Sequence, residues 1–164
     1  MLRNISVLIA DPSSYLAGLT AAMLKGVGTH HAVIATDSAA VLLDLHRAPF
    51  DVLVMDDRML PIDGIALTRQ IRAEAGERRL IPIIMVFAEA DRGRIEMARD
   101  AGVTEFIRKP LSAKILESRI LQALEHPRPF IEAEVYTGPD RRRHAVAVDG
   151  EDRRRRSASD DAAG

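Results

Sequence analysis

The 164-residue chain has no cysteine and no tryptophan, and aromatic residues make up only 4% of it. Without thiols there is no disulfide framework, no thiolate metal site and no cysteine nucleophile. Long apolar runs are also missing. Met1-Leu2-Arg3-Asn4 is followed by six apolar-leaning residues, Ile5 to Ala10, and then by Asp11. That is too short for a secretory signal core and far too short to span a bilayer. Nor is there a surplus of charge: 23 lysines and arginines face 24 acids, a net charge of −1. Bulk electrostatics therefore call for neither a nucleic acid nor an anionic membrane surface. A soluble, cytoplasmic protein is the expectation.

What is present is the composition of a packed domain, 47% hydrophobic and 29% charged. Five short runs rich in branched apolar residues stand out: Ser6–Ala10, His31–Ala35, Val52–Met55, Ile81–Val86 and Glu105–Ile107. The first, third and fourth are nearly continuous apolar runs, as in strands covered on both faces of a parallel sheet. Pro82 opens its run, where a strand tolerates a missing N–H. Between the runs lie segments of helical period. Leu16, Leu19, Met23 and Leu24 precede stops at Gly26 and Gly28, and Ser38 is a candidate N-cap for Val41, Leu42 and Leu45. Ile65, Leu67, Ile71 and Ala75 follow Asp63-Gly64. Ile95, Ala98 and Ala101 precede Gly102, and Ser112 caps Ile115, Leu116, Ile120 and Leu124. A βα unit repeated five times predicts an α/β fold, a doubly wound five-stranded parallel sheet with helices on both faces. Its site is expected at the carboxyl ends of the strands.

Residues 1–126 account for this pattern. Residues 127–164 show no sustained period and carry eight arginines and eight acids, with arginine blocks at Arg141–Arg143 and Arg153–Arg156. They are read as a tail, extended at first and then disordered.

The predicted strands end at Asp11, at Asp56-Asp57, at Phe87-Ala88 and at Lys109-Pro110. Carboxylates facing a lysine make a hard-oxygen site for magnesium with a cation left to hold a phosphoryl group. A carboxylate can itself attack a phosphoryl donor and become an acyl phosphate. With Val7–Asp11, Asp51–Asp56, Met59, Asp63-Gly64, Ile81–Met85, Ala101-Gly102 and Phe106–Pro110, residues 4–126 resemble the receiver domain of two-component response regulators. The stretch from Arg128-Pro129-Phe130 to Gly138–Arg143 also resembles a tail carried by some alphaproteobacterial single-domain receivers.

The resemblance implies the flavodoxin-like (βα)5 receiver fold. It also implies a single-domain regulator in a phosphorelay, with a histidine kinase or phosphotransfer protein as donor and a downstream protein as target. Self-association through the face formed by the fourth helix, fifth strand and fifth helix (α4–β5–α5 in chain order) is a further implication. The family pattern puts Met three residues after the acceptor, Pro four after, and Asp-Gly seven and eight after. Counting from Asp56 matches all but the Pro; counting from Asp57 matches only Pro61. Asp56 is thus the expected phosphoacceptor, Lys109 the phosphoryl-binding cation, and Asp11, Asp56 and the Arg58 carbonyl the magnesium ligands.

Two departures qualify this. Receivers usually end the first strand with two adjacent acids, of which the second binds the metal directly; here Pro12 takes the second place, so weak magnesium binding is expected. Asp57 is no substitute, because neighbouring strand residues point to opposite sides. At Phe87, family members carry Ser or Thr, whose hydroxyl bonds the phosphoryl oxygen and moves with the aromatic at Phe106. The Phe87 ring is expected to take up part of the crevice and to hold Phe106 in one rotamer. Inefficient phosphorylation at an atypical site follows.

Each residue also has a plainer role open to it. Asp11 with Pro12 can simply start a helix. Phe87 and Phe106 can be core aromatics, and the five histidines show no ligand spacing. The arginine blocks can be solvated, can dock an acidic partner or phosphates, or can bind nucleic acid, for which Phe130 and Tyr136 are few stacking residues. The rival function is a phosphorylation-independent pseudo-receiver or ligand-binding effector whose arginine tail captures a nucleotide such as a cyclic dinucleotide. An enzyme acting on a separate substrate is not expected: there is no Gly-x-Gly-x-x-Gly, phosphate loop or nucleophile elbow.

Overall fold

A computed structural model describes residues 1–133 and 136–141. Five strands, β1 (Ser6–Ala10), β2 (His31–Ala35), β3 (Val52–Asp56), β4 (Ile83–Phe87) and β5 (Glu105–Arg108), form a parallel sheet in the order β2-β1-β3-β4-β5. Helices α1 (Ser14–Gly26), α2 (Ser38–Arg47), α3 (Gly64–Ala73), α4 (Arg92–Ala101) and α5 (Ala113–Glu125) alternate with the strands. This is the expected doubly wound receiver architecture. The order reverses between β1 and β3, and a crevice opens there at the strands' carboxyl ends.

The strand period of two divides the core into two layers. Val7, Ile9, Val52, Val54, Ile84, Val86 and Ile107 pack against Ala17 and Leu24 of α1 and Leu116 and Ile120 of α5. The alternate residues Leu8, Leu53, Met55, Ile83, Met85 and Phe87 pack against Val41 of α2, Leu67 and Ile71 of α3 and Ala98 of α4. The central strands β3 and β4 are buried along their whole length. This accounts for their unbroken apolar runs.

Side-chain caps start the helices: Ser13 for α1, Asp63 for α3, Asp91 for α4 and Ser112 for α5. Helix α4 ends on Gly102 at φ 106°, a left-handed conformation that favours glycine. Three details differ from expectation. Asp37, not Ser38, caps α2 through a 2.7 Å bond from Ala40 N–H; buried Ser38 instead uses its Oγ to accept from Ile62 N–H. Helix α3 stops at Ala73 before Ala75, and a short 3-10 turn, Glu77–Leu80, precedes β4. Strand β4 starts at Ile83, two residues later than its apolar run.

Past His126 the chain turns back along α3 and α4 as an antiparallel hairpin of β6 (Phe130–Ala133) and β7 (Tyr136–Pro139). The extended part of the expected tail is therefore paired and packed. Arg72 is its anchor. This side chain is 2% exposed and donates to the carbonyls of Gly102 (3.0 Å), Ile81 (2.8 Å) and Arg79. Its guanidinium also lies 5.8 Å from the centre of the Phe130 ring. Burial pulls its pKa well down, to about 10, partly opposed by Tyr136. Arg128 donates to Thr104 O and Asp140 O, and Arg141 lies over the Tyr136 ring while pairing with Asp100 at 2.6 Å. Gly138 rests on Gly102 so closely that a Cβ there would lie 2.9 Å from the Gly102 Cα. Of the two arginine blocks only Arg141 is described; the rest, and the disorder expected there, lie outside the described residues.

Candidate functional site

The two-residue period decides which strand-end side chains meet. Asp11, Asp56 and Lys109 continue the parity of Ile9, Val54 and Ile107 and so face the α1/α5 side of the crevice. Asp57, Phe87 and Phe106 have the opposite parity and face α3 and α4.

The first group converges. Lys109 Nζ lies 2.7 Å from Asp56 Oδ2, and Asp56 Oδ1 accepts the Arg58 N–H at 2.8 Å. Asp56 is 7% exposed and Asp11 8%, and both line a small cavity of about 10 Å³ with Ile9, Thr20, Val54, Val86 and Leu111. Asp11 Oδ1 accepts the Ser13 N–H at 2.8 Å. Asp11 therefore also has the plainer role, ordering the start of α1, because Ser13 in turn caps that helix. Burial raises the Asp11 pKa; the Ser13 bond opposes this, the Asp56 charge adds to it and Lys109 opposes it. Burial lowers the Lys109 ammonium's pKa, but its hydrogen bond to Asp56 and the charges of Asp56, Asp11 and Asp57 outweigh that and hold it above its ordinary value.

Gly64 lets α3 start directly against the end of β3. Its N–H bonds Asp57 O at 2.9 Å, and a Cβ there would lie 2.6 Å from Asp56 O. The sequence pattern Asp63-Gly64 thus joins a helix cap to a residue small enough for this approach.

The second group goes elsewhere. Phe87 is 1% exposed, and its ring lies in the apolar layer beside Ala98 and Phe106, not among the residues lining the cavity. The expectation that the ring takes up part of the crevice is corrected by strand parity. The Phe87 and half-buried Phe106 ring centres are 6.0 Å apart and tilted by 32°. Asp57 is 1% exposed and pairs with Arg94 of α4: Arg94 Nε donates to Asp57 Oδ2, and Nη2 to Asp57 O at 3.0 Å.

Arg94 and Arg72 escape a reading of the sequence alone, although each leaves a trace. Arg94 is a cation in the first turn of a helix, where the macrodipole disfavours it. Arg72 continues the buried face of α3 four residues after Thr68.

As a magnesium site, the cavity offers two buried carboxylates on neighbouring strands, with the Arg58 main chain beside them. Burial raises the Asp11 pKa and the Asp56 charge adds to it, and a divalent cation would offset both. These donors fit a hard cation that keeps several waters. Among the described residues no cluster of three or more His, Cys, Asp or Glu side chains is placed to hold a metal. Exposed Pro12 supplies no oxygen from its side chain.

Comparison with known proteins gives one answer. The family model for the response regulator receiver domain matches residues 7–121. The chain is 35% identical over 119 residues to chemotaxis protein CheY of Pseudomonas aeruginosa, covering 73% of this chain and 95% of that protein. It is 32% identical over 123 residues to CheY-3 of Vibrio cholerae, covering 75% and 94%. The receiver domain of a sensor histidine kinase from Pseudomonas aeruginosa PAO1, whose crystal structure has magnesium coordinated in the active-site cleft, superposes with a TM-score of 0.67. It is 26% identical and covers 74% of this chain and 98% of that one. No helix among the described residues is long and apolar enough to cross a membrane. Sheet order, strand-end carboxylates with their lysine, and these relatives agree: the chain belongs to the response regulator receiver family of two-component phosphorelay signalling.

Proposed function

We propose that the chain accepts a phosphoryl group on Asp56 from a phosphohistidine of a histidine kinase or phosphotransfer protein, and signals by binding a downstream protein. The 2.7 Å contact between Lys109 Nζ and Asp56 Oδ2 in the cleft shared with Asp11 carries this reading. An Asp56 carboxylate oxygen forms the new P–O bond. The donor's P–N bond breaks, and its electron pair leaves on the imidazole, which takes a proton from solvent. Lys109, already on the carboxylate, stands beside the arriving phosphoryl oxygens and balances their charge. The Arg58 N–H on Oδ1 fixes the carboxylate's orientation.

Bound magnesium, held by Asp11, Asp56 and the Arg58 carbonyl, would neutralise charge on the transferring group. With one strand-end acid replaced by Pro12, its binding is weak and phosphorylation inefficient. Residues 1–126 are the phosphoryl-accepting unit, and the chain beyond them is appended to it.

Incubation of the full chain with acetyl phosphate and magnesium, followed by intact mass, tests this. A phosphoryl adduct lost in Asp56→Asn is expected. An adduct that survives in Asp56→Asn but vanishes in Asp57→Asn would refute the assignment.

A further inference from the structure

Helix α4 is poorly anchored by apolar packing. Only Ala98 and Ala101 are buried on it, whereas α3 buries Ile65, Leu67 and Ile71. Polar ties at its two ends hold it instead. At the amino end Arg94 grips the side chain and the carbonyl of Asp57, the residue next to the acceptor. The helix dipole does not explain that placement, since it disfavours positive charge in the first turn. At the carboxyl end Arg72 bonds Gly102 O, Arg141 pairs with Asp100, and Gly138 of the hairpin lies on Gly102. Asp57 Oδ1 is buried without a partner, and Arg94 is the one cation in contact with this carboxylate among the described residues. The position where a hydroxyl would report on the phosphoryl group is filled by Phe87, deep in the apolar layer.

We propose that Arg94 is a positioning residue that reads the state of Asp56 through Asp57, and that α4 passes this to the β6–β7 hairpin docked on its other end. The coupling to phosphorylation rests on Asp56 being the phosphoacceptor; the tie between Arg94 and the hairpin does not. Charge and bulk added at Asp56 shift the backbone of β3 at Asp56-Asp57 and with it the Arg94 hold that ties the first turn of α4 to the sheet. A helix held by its ends moves as a lever, and the hairpin loosens or tightens in response.

Hydrogen exchange on the full chain reads the hairpin through the peptides spanning Phe130–Asp140. In unmodified protein, Arg94→Gln raises hairpin exchange at least about threefold over Arg92→Gln, an exposed control on the same turn, while β2 at the far sheet edge stays at the wild-type rate. Because Arg94→Gln leaves Asp57 buried without its cation, Asp57→Asn/Arg94→Gln is run beside it and gives the same result. Adding beryllofluoride and magnesium changes hairpin exchange in wild type but not in Arg94→Gln, with occupancy of Asp56 followed by fluorine NMR in both. Wild-type hairpin exchange in both variants, a uniform rise that includes β2, or a beryllofluoride response that survives Arg94→Gln would each overturn the proposal. If nothing seats at Asp56 in wild type, the phosphoacceptor reading fails, and the Arg94 tie is judged on the unmodified protein alone.

Discussion

Replacing Phe87 by Thr puts back the residue type usual in the family, and the structure says what this does. The ring is 1% exposed, lies in the layer between the sheet and α4, and contacts Phe106 at 6.0 Å between centres. Truncating a buried Phe to Ala costs roughly 3–5 kcal/mol through lost transfer energy and the cavity left behind. Threonine refills part of that volume but brings a hydroxyl into apolar surroundings, at about 1–3 kcal/mol if no acceptor is found. The two corrections nearly cancel, so Phe87→Thr destabilises by roughly 3–5 kcal/mol. At about 2–4 °C per kcal/mol for a chain of this size, the midpoint falls by roughly 6–20 °C. Phe87→Leu, which keeps an apolar filling, loses less than about half as much. Urea unfolding with linear extrapolation measures the free energies, and fluorine NMR of beryllofluoride measures occupancy of Asp56. The reasoning predicts lost stability without tighter beryllofluoride binding. A variant within about 1 kcal/mol of wild type that also binds beryllofluoride more tightly would refute it. Position 87 would then be a switch whose hydroxyl the ring merely replaces.

Three further outcomes are expected. Pro12→Asp places a second acid beside Asp11 at an exposed position and tightens magnesium binding by about tenfold or more, measured by titration; unchanged affinity would show that the missing acid is not what limits the site. The raised Asp11 pKa means the native state holds this proton more tightly than the unfolded chain. Its ionisation therefore costs nothing below the ordinary value of 3.8 and lowers stability as pH rises through the native value. Asp11→Asn, which keeps an oxygen for the Ser13 N–H, should thus be more stable than wild type at pH 7, with the gain shrinking as pH approaches 3.8; a less stable variant at pH 7 contradicts this. Arg72→Met leaves the carbonyls of Gly102, Ile81 and Arg79 without their donor. Each bond lost is worth about 1.5–3 kcal/mol. Against this stands the roughly 3 kcal/mol by which burial penalises the cation, from the fall of its pKa to about 10. The net loss, about 2–5 kcal/mol by denaturation, is accompanied by faster hydrogen exchange in the hairpin; a neutral substitution would show that the hairpin does not depend on this anchor.

The fold was legible because its elements are locally encoded. Val52–Met55 and Ile81–Val86 are apolar without a break because both faces of the central strands are covered. Gly102 marks the end of α4 because a left-handed residue is needed there. The candidate cleft was legible for a related reason: Asp11, Asp56 and Lys109 stand at strand ends, and strand period alone puts them on one side. By itself, then, the sequence determined the βα repeat, the receiver resemblance, the expectation of Asp56 as acceptor and the absence of a second acid at Pro12.

What tertiary structure decided are meetings between residues far apart in the chain. Nothing near Asp57 announces Arg94, 37 residues away, and nothing near Arg72 announces Gly102 or Phe130. The hairpin strands are four residues each, one ending in Gly138-Pro139, too short and too irregular to show a period. Phe87 could have blocked the crevice or joined the core, and only the register of β4 sends its ring toward α4. Local pattern selects helices and strands because it depends on neighbours within one turn or one pleat. Which distant charges compensate each other depends on sheet order and crossover geometry, and those exist only once the chain has packed.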